Sequence, residues 1–108
     1  MGPRHNRKPV SPRVALSRWL SQLHYNHIRN IERLYPVERV DRKMGLRGVL
    51  VADDLCLTRK RTFFKINGER AEPISIETVA ANYDLASMQA MYRTAMDSWR
   101  NLMRRRVG

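Results

Sequence analysis

Apolar residues recur at steps of three and four through the last part of the chain. Leu85, Met88, Tyr92, Ala95, Trp99 and Leu102 form one stripe, widened by Met91, Met96 and Met103. That spacing puts them on one face of an amphipathic α-helix. Arg93, Thr94, Asp97, Arg100, Asn101 and Arg104 fall on the rest of the wheel. Asp84 or Ser87 can cap its start by accepting a free backbone N–H. Arg104, Arg105 and Arg106 suit its other end, where the helix dipole favours cations. Just upstream, Ile76, Val79, Ala80 and Tyr83 make a short helical face behind Ser75, a candidate N-cap. The region reads as a short helix, a tight Asp-Leu-Ala-Ser junction and a long helix.

The same period appears near the start. Leu16, Trp19, Leu20, Leu23, His27, Ile28, Ile31 and Leu34 share a face, with Arg13, Arg18, Arg29 and Arg33 off it. Ser11 caps and Pro12 fits the first helical position, where no N–H is needed. Pro36 stops the run, because the residue before a proline avoids the helical region. The pattern predicts one helix over 12–35, packed antiparallel on the Leu85–Met103 stripe. Residues 36–45 suit a short helix with Val37, Val40 and Met44 inward and Gly45 as its stop.

The period then changes. Residues 48–52, 55–58 and 62–66 are short β-prone runs, with Asp53-Asp54 between the first two. Asn67-Gly68 marks a hairpin, because both residues tolerate positive φ. The returning arm, Glu69-Arg70-Ala71, is expected to stop at Pro73. The expected fold class is α+β: two long amphipathic helices packed with a small antiparallel β ribbon. Residues 1–10 form a basic extended arm and 11–108 a single small domain.

Charge changes the picture more than composition does. The formal net charge is +11 over 108 residues, with a hydrophobic fraction of 43% that suits a packed protein. A small domain this basic calls for an anionic partner. Nucleic acid comes first, then an anionic membrane or an acidic protein surface. Arg far outnumbers Lys, and Arg makes planar bidentate contacts to phosphate. The single Cys56 excludes an intramolecular disulfide. No apolar run approaches the roughly 20 residues of a membrane-spanning helix. The first acidic residue is Glu32, and an Arg-rich, acid-free amphipathic start is what mitochondrial targeting segments look like.

Three basic clusters are the candidate nucleic-acid contacts. Arg4, Arg7 and Lys8 sit in the arm, which can track a phosphate backbone. Arg59, Lys60 and Arg61 sit at a strand connection beside Phe63 and Phe64, and a basic loop next to aromatics can hold phosphates and stack bases. Arg104, Arg105 and Arg106 close the last helix. His24 and His27 lie three apart, half of a metal site at most, and no further ligand stands at motif spacing. Adjacent Asp53 and Asp54 suit a turn, since neighbouring strand residues point to opposite faces. No phosphate loop, dinucleotide fingerprint, nucleophile elbow or zinc-protease motif is present, so neither an enzyme nor a cofactor is expected.

Residues 74–99 resemble a helix-turn-helix, in which the second helix enters the DNA major groove. Gln89 and Ser87 are the polar residues near that helix's start. A second resemblance rests on Trp19-Leu20, then Lys43-Met44-Gly45-Leu46-Arg47, then Asp53-Asp54. Together these are similar to a Trp-Leu, Lys-Tyr-Gly-Leu-Arg and Asp-Asp succession in the small matrix-side helical subunit of the mitochondrial cytochrome bc1 complex. The match covers about a third of the chain. Extra residues precede the acidic pair, that family's later Arg-Leu-Pro segment is missing, and strand-like residues replace its helical middle. The resemblance implies a supernumerary subunit of a respiratory complex.

The reading that joins size, charge and arm is a non-catalytic structural subunit of a large assembly. It contacts RNA and neighbouring subunits, as in a ribosome-like particle of the mitochondrial matrix. A respiratory-complex subunit and a helix-turn-helix DNA-binding protein are the alternatives.

Overall fold

The computed structural model describes residues 10–31 and 47–107, apart from the side chains of Tyr25, Arg106 and Val107. The arm, with Arg4, Arg7 and Lys8, and the helix expected over 36–45 lie outside the described residues.

The chain opens on α1 (Pro12–Gln22) and α2 (Tyr25–Ile31). It continues as four strands: β1 (Val49–Ala52), β2 (Leu55–Leu57), β3 (Phe63–Asn67) and β4 (Arg70–Ile74). It closes on α3 (Ile76–Asn82) and α4 (Leu85–Val107). The class is α+β, as the pattern indicated. The strands form a four-stranded antiparallel meander in the order β1-β2-β3-β4. Asp53 and Asp54 make the first turn, as expected. The hairpin turn lies one residue later than the Asn-Gly signal suggested. Asn67 pairs with Arg70, and Gly68, at φ 60, opens the Gly68-Glu69 loop. Positive φ at the first loop residue alone is the turn in which glycine is preferred there. β4 also runs through Pro73 to Ile74, with Pro73 opposite Phe64. An edge strand tolerates a residue without an N–H.

Strand alternation splits the sheet into two faces. Val49, Val51, Leu55, Leu57 and Phe63 face the helices and join one core with Leu16, Ile28, Ile31, Val79 and Met88. Cys56 and Ala71, with Leu50, Phe64 and Ile66, form a second, smaller cluster on the other face. Gly48 enters β1 so closely that a Cβ there would lie 2.3 Å from the Cys56 Sγ and 2.6 Å from the Leu57 carbonyl oxygen.

The caps are those the sequence indicated. Ser11 Oγ accepts the Val14 N–H, and Ser75 Oγ accepts the Thr78 N–H, both at 3.2 Å. Asp84 rather than Ser87 caps α4: its Oδ2 accepts the Ser87 N–H at 3.0 Å and the Ser87 hydroxyl at 2.8 Å.

Only one of the two expected long helices is long. α4 has 23 residues, but the first helix breaks after Gln22. Leu23 turns extended, at φ −75 and ψ 134. His24 then starts a new helix by accepting the N–H groups of His27 and Ile28. The cause lies across the fold. Arg61 donates from its guanidinium to the Leu23 carbonyl, the group that an uninterrupted helix would pair with His27. The break lets Leu23, Ile28 and Ile31 all be buried.

The helix pair also differs in direction from the antiparallel expectation. Pro12, Ala15 and Leu16 lie beside Leu85 and Met88, and the Trp19 ring meets Tyr92 edge-on at 5.8 Å. Both series ascend together, so α1 and α4 run in the same sense where they meet. Side-chain period defines a face and carries no information on direction.

Candidate nucleic-acid interface

The loop joining β2 to β3 is tied to itself before it can hold anything else. The Thr58 N–H donates to the Thr62 carbonyl at 3.0 Å, and the Arg61 N–H donates to the Thr58 carbonyl at 2.9 Å. The two threonine hydroxyls lie 2.7 Å apart. This closure puts Arg61 at φ 64, in the left-handed region that non-glycine residues seldom occupy.

Of the predicted Arg59–Arg61 cluster, Arg61 is therefore engaged in structure, through the Leu23 carbonyl. Arg59 is half-buried and interacts within the protein. Lys60 is exposed. The neighbouring aromatics part company: Phe63 is in the core, and Phe64 is half-buried on the other sheet face. Phe63 is unavailable for stacking.

The register adds a cation that sequence reasoning missed. Val49 pairs with Leu57 in an antiparallel ladder. Arg47 enters β1 two residues before this pair, at the end of the sheet where β2 leaves for the turn at 58–62. Arg47, Arg59, Lys60 and Arg61 thus share one end of the sheet, and Arg47 is exposed. The opposite end carries Asp53 and Asp54 in one turn and, in the other, Glu69 next to the exposed Arg70. Only the pairing of the first two strands could have revealed Arg47, because it lies twelve positions from Arg59 in the sequence.

The acidic end extends to the helices. Tyr83 donates its hydroxyl to Asp54 Oδ1 at 3.0 Å, and burial, followed by this bond and the Asp54 charge, raises the Tyr83 pKa. Glu77 does not belong to that end: it opens α3 just after Ile74, which pairs with Phe63 at the other end of the sheet, and it accepts from Arg13 at 2.8 Å, the main reason its carboxyl is held below its ordinary value.

Arg104 and Arg105 are exposed on the last turns of α4, and the Arg106 backbone is helical. Arg100 lies 3.9 Å from Asp97, a loose and exposed pair. The helix that carries them outruns its support: Met88, Tyr92 and Ala95 are buried, Trp99 is half-buried, and Leu102 and Met103 are exposed. The expectation of one continuous buried stripe holds only as far as Trp99.

Several other candidates also have places. The helix-turn-helix-like junction is Tyr83-Asp84, and Ser87 at the start of its second helix is bonded to Asp84. The His24 and His27 rings lie 5.0 Å apart. Among the described residues no group of three His, Cys, Asp or Glu side chains gathers as a metal site would need, and no helix is long and apolar enough to cross a membrane. No family model, curated protein or solved structure matches this chain.

Proposed function

We propose that the protein is a non-catalytic structural subunit of a large assembly, and that it holds RNA at the basic end of its sheet. The observation that supports this most is the separation of charge along the strands. Arg47, Arg59, Lys60 and Arg61 gather at one end, and Asp53, Asp54 and Glu69, with Arg70 next to Glu69, at the other. Such polarity orients the protein on a polyanion before any specific contact forms. Phosphate contacts of this kind position a protein without reading sequence, which suits a structural subunit. The arm with Arg4, Arg7 and Lys8 supplies further cations. The acid-free N-terminal stretch supports a mitochondrial matrix particle.

Arg61 is a poor test residue, since its loss also frees the Leu23 carbonyl. Arg47→Gln with Lys60→Gln removes two exposed charges and no hydrogen bond described above. Binding of a single-stranded RNA to this variant is compared with binding to Arg29→Gln with Arg93→Gln, which has the same net charge. Each lost phosphate contact makes log K against log salt shallower by about 0.7, so the first variant is expected to flatten the slope by about 1.4. Equal slopes for the two variants would mean that the sheet end is not the contact. Tight binding of one duplex DNA over its scrambled counterpart would point to the helix-turn-helix alternative.

A further inference from the structure

Two surfaces are left open among the described residues. The first is the end of α4. Its apolar stripe continues past Trp99, where Leu102 is 39% and Met103 36% exposed. Arg100, Arg104 and Arg105 surround these residues, and the sequence has no carboxylate after Asp97. The second is a groove of about 370 Å³ where α1, α3 and the start of α4 meet. Leu16, Ala80, Leu85 and Met88 give it an apolar lining, with Tyr83 and Asp84 among its walls. Asp54 is bonded to Tyr83 at the same place.

The two surfaces are complementary: an apolar tip ringed by cations, and an apolar groove next to carboxylates. They sit at opposite ends of one 23-residue helix. At 1.5 Å per residue Leu85 and Leu102 are roughly 25 Å apart along one rigid helix, so the tip cannot enter the groove of its own chain. We infer that the α4 tip of one copy seats in the α1–α3–α4 groove of a second copy, with Leu102 and Met103 inside and the Arg104 and Arg105 guanidinium groups near Asp84 and Asp54.

The charges argue against other occupants. Tip against tip brings arginines onto arginines. A polyanion in the groove meets Asp84, and a polyanion on the tip leaves Leu102 and Met103 without a contact. The contact is head-to-tail, so each copy keeps one free tip or one free groove for the next. The surfaces are small, so the association is weak and depends on concentration.

Sedimentation equilibrium of the full chain tests this with two variants. Leu102→Asn with Met103→Asn spoils the tip. Ala80→Leu with Asp84→Asn fills the groove and removes its charge, and Asn keeps the α4 cap. The wild-type average mass is expected to climb past a dimer as concentration rises, while each variant stays monomeric. An equimolar mixture of the two variants stops at a dimer, because only one tip and one groove are intact. A wild type that stays monomeric to about 1 mM, the range expected of small contacts, overturns the inference. So does a mixture that stays monomeric, or a variant that assembles like the wild type. If the groove variant fails to fold, disulfide trapping replaces it: Leu102→Cys mixed with Ala15→Cys is expected to give a covalent dimer that neither gives alone. Absence of that dimer is equally decisive against it.

Discussion

Arg61 has two roles that substitution can separate. Its guanidinium holds the Leu23 carbonyl, and its backbone stands at φ 64. Alanine removes the bond and keeps the left-handed backbone. Glycine removes the bond and relaxes the backbone. A hydrogen bond from a charged donor contributes about 1.5–3 kcal/mol. Arg61 is largely exposed, so the lower end applies, and Arg61→Ala is expected to cost about 1.5 kcal/mol. A non-glycine residue in the left-handed region costs about 1–2 kcal/mol. Glycine gives back about 0.5–1 kcal/mol of this through the freedom of its unfolded chain. Arg61→Gly is therefore expected to be milder than Arg61→Ala by about 0.5–1 kcal/mol. Urea unfolding followed by far-UV circular dichroism resolves the order, as a midpoint lower by about 1 M for alanine and about half that for glycine. If glycine costs as much as alanine, the backbone at 61 is not left-handed in solution. If neither changes the midpoint, the bond to Leu23 does not form and the break between α1 and α2 has another cause.

Two further substitutions test the core. The Tyr92 hydroxyl is buried with no hydrogen-bond partner among the described residues, so Tyr92→Phe is expected to raise stability by about 1 kcal/mol while keeping the edge-on contact with Trp19; a loss of stability would show that the hydroxyl is satisfied. Burial also raises the Tyr92 pKa above its ordinary 10.0, so its contribution is full below pH 10.0 and is lost as pH rises through the folded value. Unfolding free energy measured upward from pH 10.0 is thus expected to fall less steeply for Tyr92→Phe than for wild type. Gly48→Ala places a methyl group against the Leu57 carbonyl, which is backbone and cannot swing aside, and is expected to cost about 3 kcal/mol in the same urea assay. An unchanged midpoint would mean that β1 does not approach β2 so closely there.

Local chemistry was legible and distant chemistry was not. Ser11-Pro12 and Ser75 announced their helices because a cap is made within three residues. The strands and their turns followed from alternation and from Asp53-Asp54 and Gly68. The break at Leu23 was invisible, because its cause lies 38 positions away at Arg61. Helical period showed that Leu102 and Met103 share a face with Met88, but it cannot show where the supporting surface ends. In the candidate interface, Lys60 was found in the sequence, whereas Arg47 needed the β1–β2 register. Phe63 and Phe64 looked equivalent as neighbours, and strand alternation separated them into opposite faces.

The position of α4 in the chain also bears on how the protein folds. The meander joins strands through short turns, so its pairings form between near neighbours and close small loops. α4 is different: it packs on β1, α1 and α2, all made well before it. Until α4 emerges, the faces carrying Trp19, Ile28 and Val51 have no cover. The early part of the chain must therefore wait with apolar surface open to water, a state in which strangers compete with the native partner. The order of synthesis thus makes α4 the element that covers β1, α1 and α2 after they have been made.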